Sequence, residues 1–224
     1  MLTAIRDGRS DLVFDHLAAG GAANAVMDEV PLLAWCAYHG DVSAIRQLLA
    51  HGESLVTLGD NFDLNGAVFH HHWQLVEFLI ERGADVNHAL PDSGETPLHV
   101  ALSRANRPRA ERIAELLLRH GADPNAVTHA GAATGVFMRD CRTRAETPLH
   151  RAAAFASARC IGKLLAAGAD PGARDAHGDT ALAWASWHLR PAAVLRLLCH
   201  GPHTIHPDND SSYDHGQGWQ LSER

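Results

Sequence analysis

Two nearly identical octapeptides lie 51 residues apart: "ETPLHVAL" at 95–102 and "ETPLHRAA" at 146–153. A second set of copies alternates with them, "RGADVN" at 82–87, "HGADPN" at 120–125 and "AGADPG" at 167–172. Between them run helical patterns such as "IAELLLRHGAD" and "IGKLLAAGAD". Repetition on this scale constrains the fold more than composition does. Each copy is one supersecondary unit, too small to bury its own apolar face, so neighbours must stack.

The weaker copies are found by counting back from the glycine that ends each second helix. Thr147 to Gly168 and Thr180 to Gly201 are each 21 steps. The same 21 steps from Gly83 reach Phe62, and from Gly52 they reach Pro31. From Gly20 they overrun residue 1, so the first copy begins inside its first helix. Thr96 to Gly121 is longer by four, around "NRPR" at 106–109.

This pattern resembles the ankyrin repeat, with its T-P-L-H-x-A signature. The resemblance reaches to about residue 205 and implies an all-α solenoid of stacked helix-turn-helix units with β-hairpin-like loops. Six repeats are expected, at about 1–24, 25–56, 57–87, 88–125, 126–172 and 173–205. Thr96 and Thr147 are suited to cap helix starts, and Pro97 and Pro148 to the first helical turn. Gly83, Gly121, Gly168 and Gly201 suit helix C-caps. Leu116, Leu117, Leu164, Leu165, Leu197 and Leu198 mark buried second helices. His99 and His150 read as hydrogen-bonders of the scaffold.

Two segments leave the pattern. From Asn125 to Thr147 the linker holds 21 residues, against eight from Asn87 to Thr96. The excess falls in 126–146, which reads as an extended finger. Its apolar Val136, Phe137 and Met138 would pack back on the groove and leave Arg139, Arg142 and Arg144 available. The tail 206–224 departs from the repeat; Tyr213 and Trp219 are placed to cap the last one. Its "DNDSSYD" lacks the glycine and glutamate of a calcium loop.

By resemblance, the two residues after "TPLHxAA" face a concave groove. The pairs are Arg6 and Asp7, Tyr38 and His39, Phe69 and His70, Ser103 and Arg104, Ala154 and Phe155, Trp187 and His188. Aromatic residues and arginine are enriched where proteins bind one another. The partner-binding set is therefore Tyr38, His39, Phe69, His70, Arg104, Phe155, Trp187 and His188, with Phe137, Arg139 and Arg142 from the finger. "FHHH" at 69–72 divides accordingly: His70 faces the groove, His71 takes the position of the inter-helix glycine, and His72 matches the repeat's Gly-His step.

Composition narrows the partner class. The net charge of −7 argues against nucleic acid, and no apolar run is long enough for a membrane span. No secretory signal pattern opens the chain, and the four scattered cysteines form no CxxC, so a reducing, cytoplasmic setting is expected. The 17 histidines, whose ordinary pKa is ~6.5, make the surface charge sensitive to pH. No P-loop, HExxH or GxSxG occurs.

The reading is a monomeric scaffold that binds another protein or peptide through a groove rich in histidine and aromatic residues, with no firmly expected cofactor. The alternative is an atypical ankyrin-fold enzyme, or a metal- or small-molecule-binding protein, using the same groove. Its metal candidates are His39 and His70, in equivalent positions of neighbouring repeats, holding a divalent ion. Its catalytic candidates are Cys141 and Asp140, with His129 or His150 as base; the flanking arginines would favour a Cys141 thiolate. An anionic ligand held by Arg139, Arg142, Arg144 and Arg190 fits either class.

Overall fold

The computed structural model describes residues 1–103, 108–134 and 142–199. The chain divides into two compact units, Met1–Asp85 and Val86–Arg224.

In the first unit α1 (Leu2–Arg6) leads through a 3-10 turn to α2 (Val13–Ala18). A two-residue hairpin follows, β1 (Val26–Met27) against β2 (Val30–Pro31), with Val26 opposite Pro31. Then come α3 (Leu32–His39) and α4 (Val42–Ala50), two 3-10 turns, and α5 (Leu64–Phe69) with α6 (Trp73–Glu81). Leu33, Ile45, Leu48, Leu64, Val76 and Leu79 are fully buried and make its core. The apolar side chains recur three and four residues apart, so each helix buries one stripe and packs it on its neighbours.

In the second unit the helices are α7 (Pro97–Ala101), α8 (Pro108–Arg119), α9 (Pro148–Phe155), α10 (Ala158–Ala166), α11 (Ala181–Trp187) and α12 (Ala192–Leu198). Leu98, Ile113, Leu117, Leu149, Ile161 and Leu164 are fully buried. Leu165 is half-buried, and Leu197, expected inside, is 41% exposed.

The TPLH motif works as its residue types require. Thr96 and Thr147 sit in extended backbone just before α7 and α9 and form capping boxes with His99 and His150. Nδ1 of His99 accepts the Thr96 N–H at 3.2 Å, while Nε2 donates to the Glu146 carbonyl at 3.2 Å. His150 repeats this with the Thr147 N–H at 3.1 Å and the Asp179 carbonyl at 3.1 Å. Each ring thus ties one repeat to the next, and both nitrogens are used in the neutral form. His150 therefore has no nitrogen left to serve as a catalytic base.

The asparagine of the "GADxN" copies does the same for the turns. Asn87 donates to the Gly121 carbonyl at 3.0 Å and accepts the Asp123 N–H at 2.7 Å. Asn125 pairs likewise with Gly168 and Asp170, each at 2.8 Å. In the first unit Asn61 takes this role, bonded both ways to the backbone of Asp85 at 2.8 and 2.7 Å.

The degenerate third repeat begins one residue later than counting predicts. Phe62 stands in the threonine position, but Asp63 caps α5 by accepting the Gly66 N–H at 3.1 Å. Asn61, Phe62 and Asp63 all adopt left-handed backbone, with φ of 48°, 54° and 52°.

The inter-helix corner matches the sequence expectation: His71 has φ 61°, the equivalent Gly40 has φ 72°, and Leu189 has φ 49°. A left-handed residue with a Cβ costs about 1–2 kcal/mol. Gly40 meets a second demand, because a Cβ there would lie 2.5 Å from the His72 ring. Gly40→Ala is expected to destabilise the protein by about 2 kcal/mol, and His71→Gly to stabilise it by about 1 kcal/mol. Urea unfolding midpoints check both signs. The capping role of Tyr213 and Trp219 falls outside the described residues.

Candidate functional site

The C-terminal ends of the first helices carry the aromatic and histidine side chains. In the first unit Tyr38 is 54% exposed at the end of α3. Its ring meets Trp35, one turn earlier, at 6.2 Å, His39 at 5.2 Å and His70 at 5.0 Å, all edge to face. Phe69 stands edge-on to His70 at 5.2 Å, and His72 stacks on His70 at 5.9 Å. Such edge-to-face pairs are individually weak but fix ring orientation.

The histidines split by function. Nε2 of His39 donates to the Arg6 carbonyl at 2.8 Å, and Nε2 of His72 to the Tyr38 carbonyl at 2.9 Å. Both fasten one repeat to the preceding one, and both are half-buried. His70 is exposed and set among rings. The expected metal pair, His39 and His70, thus has one member spending its Nε2 on a backbone carbonyl. Among the described residues no group of three or more His, Cys, Asp or Glu side chains is arranged to hold a metal ion.

Beside this cluster, between α3 and α5, lies a cavity of about 380 Å³. Trp35, Tyr38, Phe62, Asp63 and His70 line it, and the buried Leu75 and Leu79 line it from α6. The left-handed turn at 61–63 brings Phe62 and Asp63 to the cavity. Gly66 permits the approach of Asp63, since a Cβ at 66 would stand 2.2 Å from its carboxylate. Partial burial raises the Asp63 carboxyl above its ordinary range, against the Gly66 N–H and nearby His70. Sequence reading missed Trp35, Phe62 and Asp63. Trp35 had a signal, its spacing of three from Tyr38 on one helix face. Phe62 and Asp63 had none, because they occupy positions that are scaffold in the regular repeat.

In the second unit Phe155 and His188 meet edge to face at 5.0 Å, and Phe155, Trp187 and His188 are all half-buried. Ser103, expected beside them at the surface, is buried: its Oγ donates to the His99 carbonyl at 2.7 Å and accepts from Arg151 at 2.9 Å. Ala154 is buried as well. Arg190 donates to the carbonyls of Ala154 and Ala156, and Arg144 is buried over the Trp184 ring at 5.9 Å. Those two arginines therefore serve packing rather than an anionic ligand. Arg142 is exposed and donates to the Gly131 carbonyl at 2.7 Å. His129 is exposed, with Nδ1 3.3 Å from the Asp92 carbonyl. Arg104, Phe137, Arg139, Asp140 and Cys141 lie outside the described residues. Burial pushes the Cys36 and Cys160 thiols up to about 12, so neither is a nucleophile near neutrality.

The described ends of the 126–146 segment are tied by a buried charge cluster. Arg151 is fully buried and reaches Glu95 at 2.7 Å and Glu146 at 2.5 Å. Thr134 donates to Glu95 at 2.7 Å; Thr128 and the Arg144 N–H donate to Glu146 at 2.7 and 2.6 Å. Residues 131–133 and 142–143 also pair, through an antiparallel bridge between Ala133 and Arg142 and the Gly131 N–H bond to the Thr143 carbonyl at 2.6 Å. Burial raises the Glu146 carboxyl, but Arg151 and these donors outweigh it and hold it at about 2. Burial, then the Arg151 charge, pushes His99 down to about 3. Burial lowers His150 too.

Stacked helix pairs, TPLH capping boxes and asparagine-pinned turns define a repeat protein of the ankyrin type. The comparisons agree: a model of ankyrin repeats in three copies matches residues 33–128, and a single ankyrin repeat model matches 146–176. The chain belongs to the ankyrin repeat family. It is 31% identical over 210 residues to neurogenic locus notch homolog protein 2 of Homo sapiens, covering 93% of this chain and 7% of that one. It is 31% identical over 175 residues to the nuclear factor NF-kappa-B p105 subunit of Gallus gallus, covering 75% of this chain and 16% of that one. A stretch of 65 residues, 29% of this chain and 8% of the other, is 48% identical to the 2-5A-dependent ribonuclease of Homo sapiens. The chain thus spans under a fifth of each of these relatives. Ankyrin repeats are in general protein-interaction domains.

Proposed function

We propose that this chain binds a protein partner through the C-terminal ends of its first helices, with Tyr38, Phe69 and His70 as the contact set in the first unit and Phe155, Trp187 and His188 in the second. The observation that carries this is the exposed aromatic cluster at Tyr38. A tyrosine 54% exposed, held edge-on by three other rings, is a rigid and amphipathic surface with little side-chain entropy left to lose on binding. The finger extends the second unit's contact set, since its two arms are fixed at the base by buried hydrogen bonds. His39 contributes by orienting Tyr38 rather than by direct contact. The protein acts as a monomer in the cytoplasm, a compartment that keeps thiols such as the buried Cys36 and Cys160 reduced.

The test is capture of a partner by the unmutated protein and by a variant with alanine at Tyr38, Phe69, Phe155 and Trp187. Capture is expected to be lost while far-UV circular dichroism is unchanged. A second variant, Tyr38→Ala with His70→Ala, alters only exposed side chains and keeps the test valid if the first fails to fold.

A further inference from the structure

The negative charge of the chain is concentrated in one unit. Residues 1–85 hold four arginines, no lysine and twelve aspartates or glutamates, a net −8, whereas the remaining residues carry a net +1. Several of these acids adjoin the cavity lining in sequence: Asp28 and Glu29 at the hairpin tip precede Val30, and Asp60 precedes Phe62 and Asp63. Arg6 pairs with Asp7 at 2.8 Å and with Asp28 at 2.9 Å.

We propose that the cavity between α3 and α5 receives a lysine or arginine side chain from a basic peptide segment of the partner. This rests on the protein-binding reading above and names the chemistry of its first-unit contact. Trp35, Tyr38 and Phe62 line it, and the negative quadrupole of an aromatic face attracts a cation. Asp63 sets a carboxylate in the same cavity, and Leu75 and Leu79 meet the aliphatic stem of the incoming side chain. Beyond nearby His70, an apolar anchor would add no charge to answer Asp63, and an acidic one would be repelled. The three consecutive left-handed residues that bring Phe62 and Asp63 to the cavity are strained backbone of the kind that concentrates at binding sites. The acidic surroundings add long-range attraction for a basic segment.

Fluorescein-labelled octalysine peptide, titrated at roughly 0.1 M salt and followed by anisotropy, tests this. The unmutated protein is expected to bind it. Asp63→Asn removes the charge but keeps the α5 cap, since asparagine caps as well as aspartate. It is expected to weaken binding at least about fivefold, as is Tyr38→Ala. Asp15→Asn, the same charge change on α2, is expected to alter binding less than about twofold. The proposal is overturned if octalysine does not bind, or if Asp63→Asn and Asp15→Asn weaken it equally, which would make the attraction diffuse. A captured partner that is lost with the four aromatic residues but indifferent to Asp63→Asn would sink this inference and leave protein binding intact.

Discussion

Replacing Arg151 with methionine is expected to cost about 3–5 kcal/mol of stability. Arg151 is completely buried, and its guanidinium answers two buried carboxylates at once. Methionine fills similar space but leaves Glu95 and Glu146 charged and uncompensated. Lysine is not expected to rescue, because one ammonium cannot replace the Nε and Nη2 bonds to Glu146 together with the Nη1 bonds to Glu95 and Ser103. Adding Glu95→Gln and Glu146→Gln to the methionine variant is expected to recover part of the loss, since the penalty is chiefly the stranded charge. Urea unfolding measures all of these. A methionine variant within about 1 kcal/mol of the parent would mean that the cluster is not closed to water as described. Amides at Gly131 and Thr143, which join segments 126–134 and 142–146, should exchange faster in the variant.

The second large effect is acid sensitivity well above the usual carboxylate range. His99 and His150 are buried and neutral in the folded protein, with both ring nitrogens committed. For His99 the folded pKa is about 3, far below the ordinary ~6.5 of an unfolded histidine. A group depressed in this way contributes stability that is fully present above about pH 6.5. The contribution is lost as pH falls, because the unfolded chain takes up a proton that the native ring refuses. Each such histidine adds a slope of about 1.4 kcal/mol per pH unit below ~6.5. His150 shifts in the same direction. The stability that Glu146 contributes, its carboxyl being held at about 2, is fully present above its unfolded value near ~4.5 and is lost as pH falls below it. Urea midpoints measured from pH 7.5 to 4.5 should therefore fall steeply from about pH 6.5, with uptake of more than one proton on unfolding. A flat profile over that span would contradict the neutral, doubly bonded histidines.

These effects show where the sequence was legible. The ankyrin-type helix pairs, the threonine caps, the TPLH histidines and the left-handed corner at His71 are repetitive features, and repetition reports its own register. The charge cluster was only half visible. Glu95 and Glu146 occupy the same place in the two "ETPLH" copies, but nothing in one linear string says that a single Arg151 joins them. The cavity was less visible still. Phe62 and Asp63 stand where regular repeats carry threonine and proline, and only the left-handed turn reveals that they face Tyr38 and Trp35 rather than maintain the scaffold. Ser103 and Ala154 failed as surface residues for a similar reason: their positions in the repeat are conventional, but Arg151 and the close packing of α9 and α11 draw them inside.

The central claim is that the ends of the first helices are the binding surface. It is tested most directly by the dissociation constant of a captured partner, measured calorimetrically for the unmutated protein and for the alanine variant at Tyr38, Phe69, Phe155 and Trp187. Removing several central aromatic contacts is expected to weaken binding by about a hundredfold or more, with the variant still folded. A folded variant that binds within about threefold of the parent would place the contact surface elsewhere on the chain.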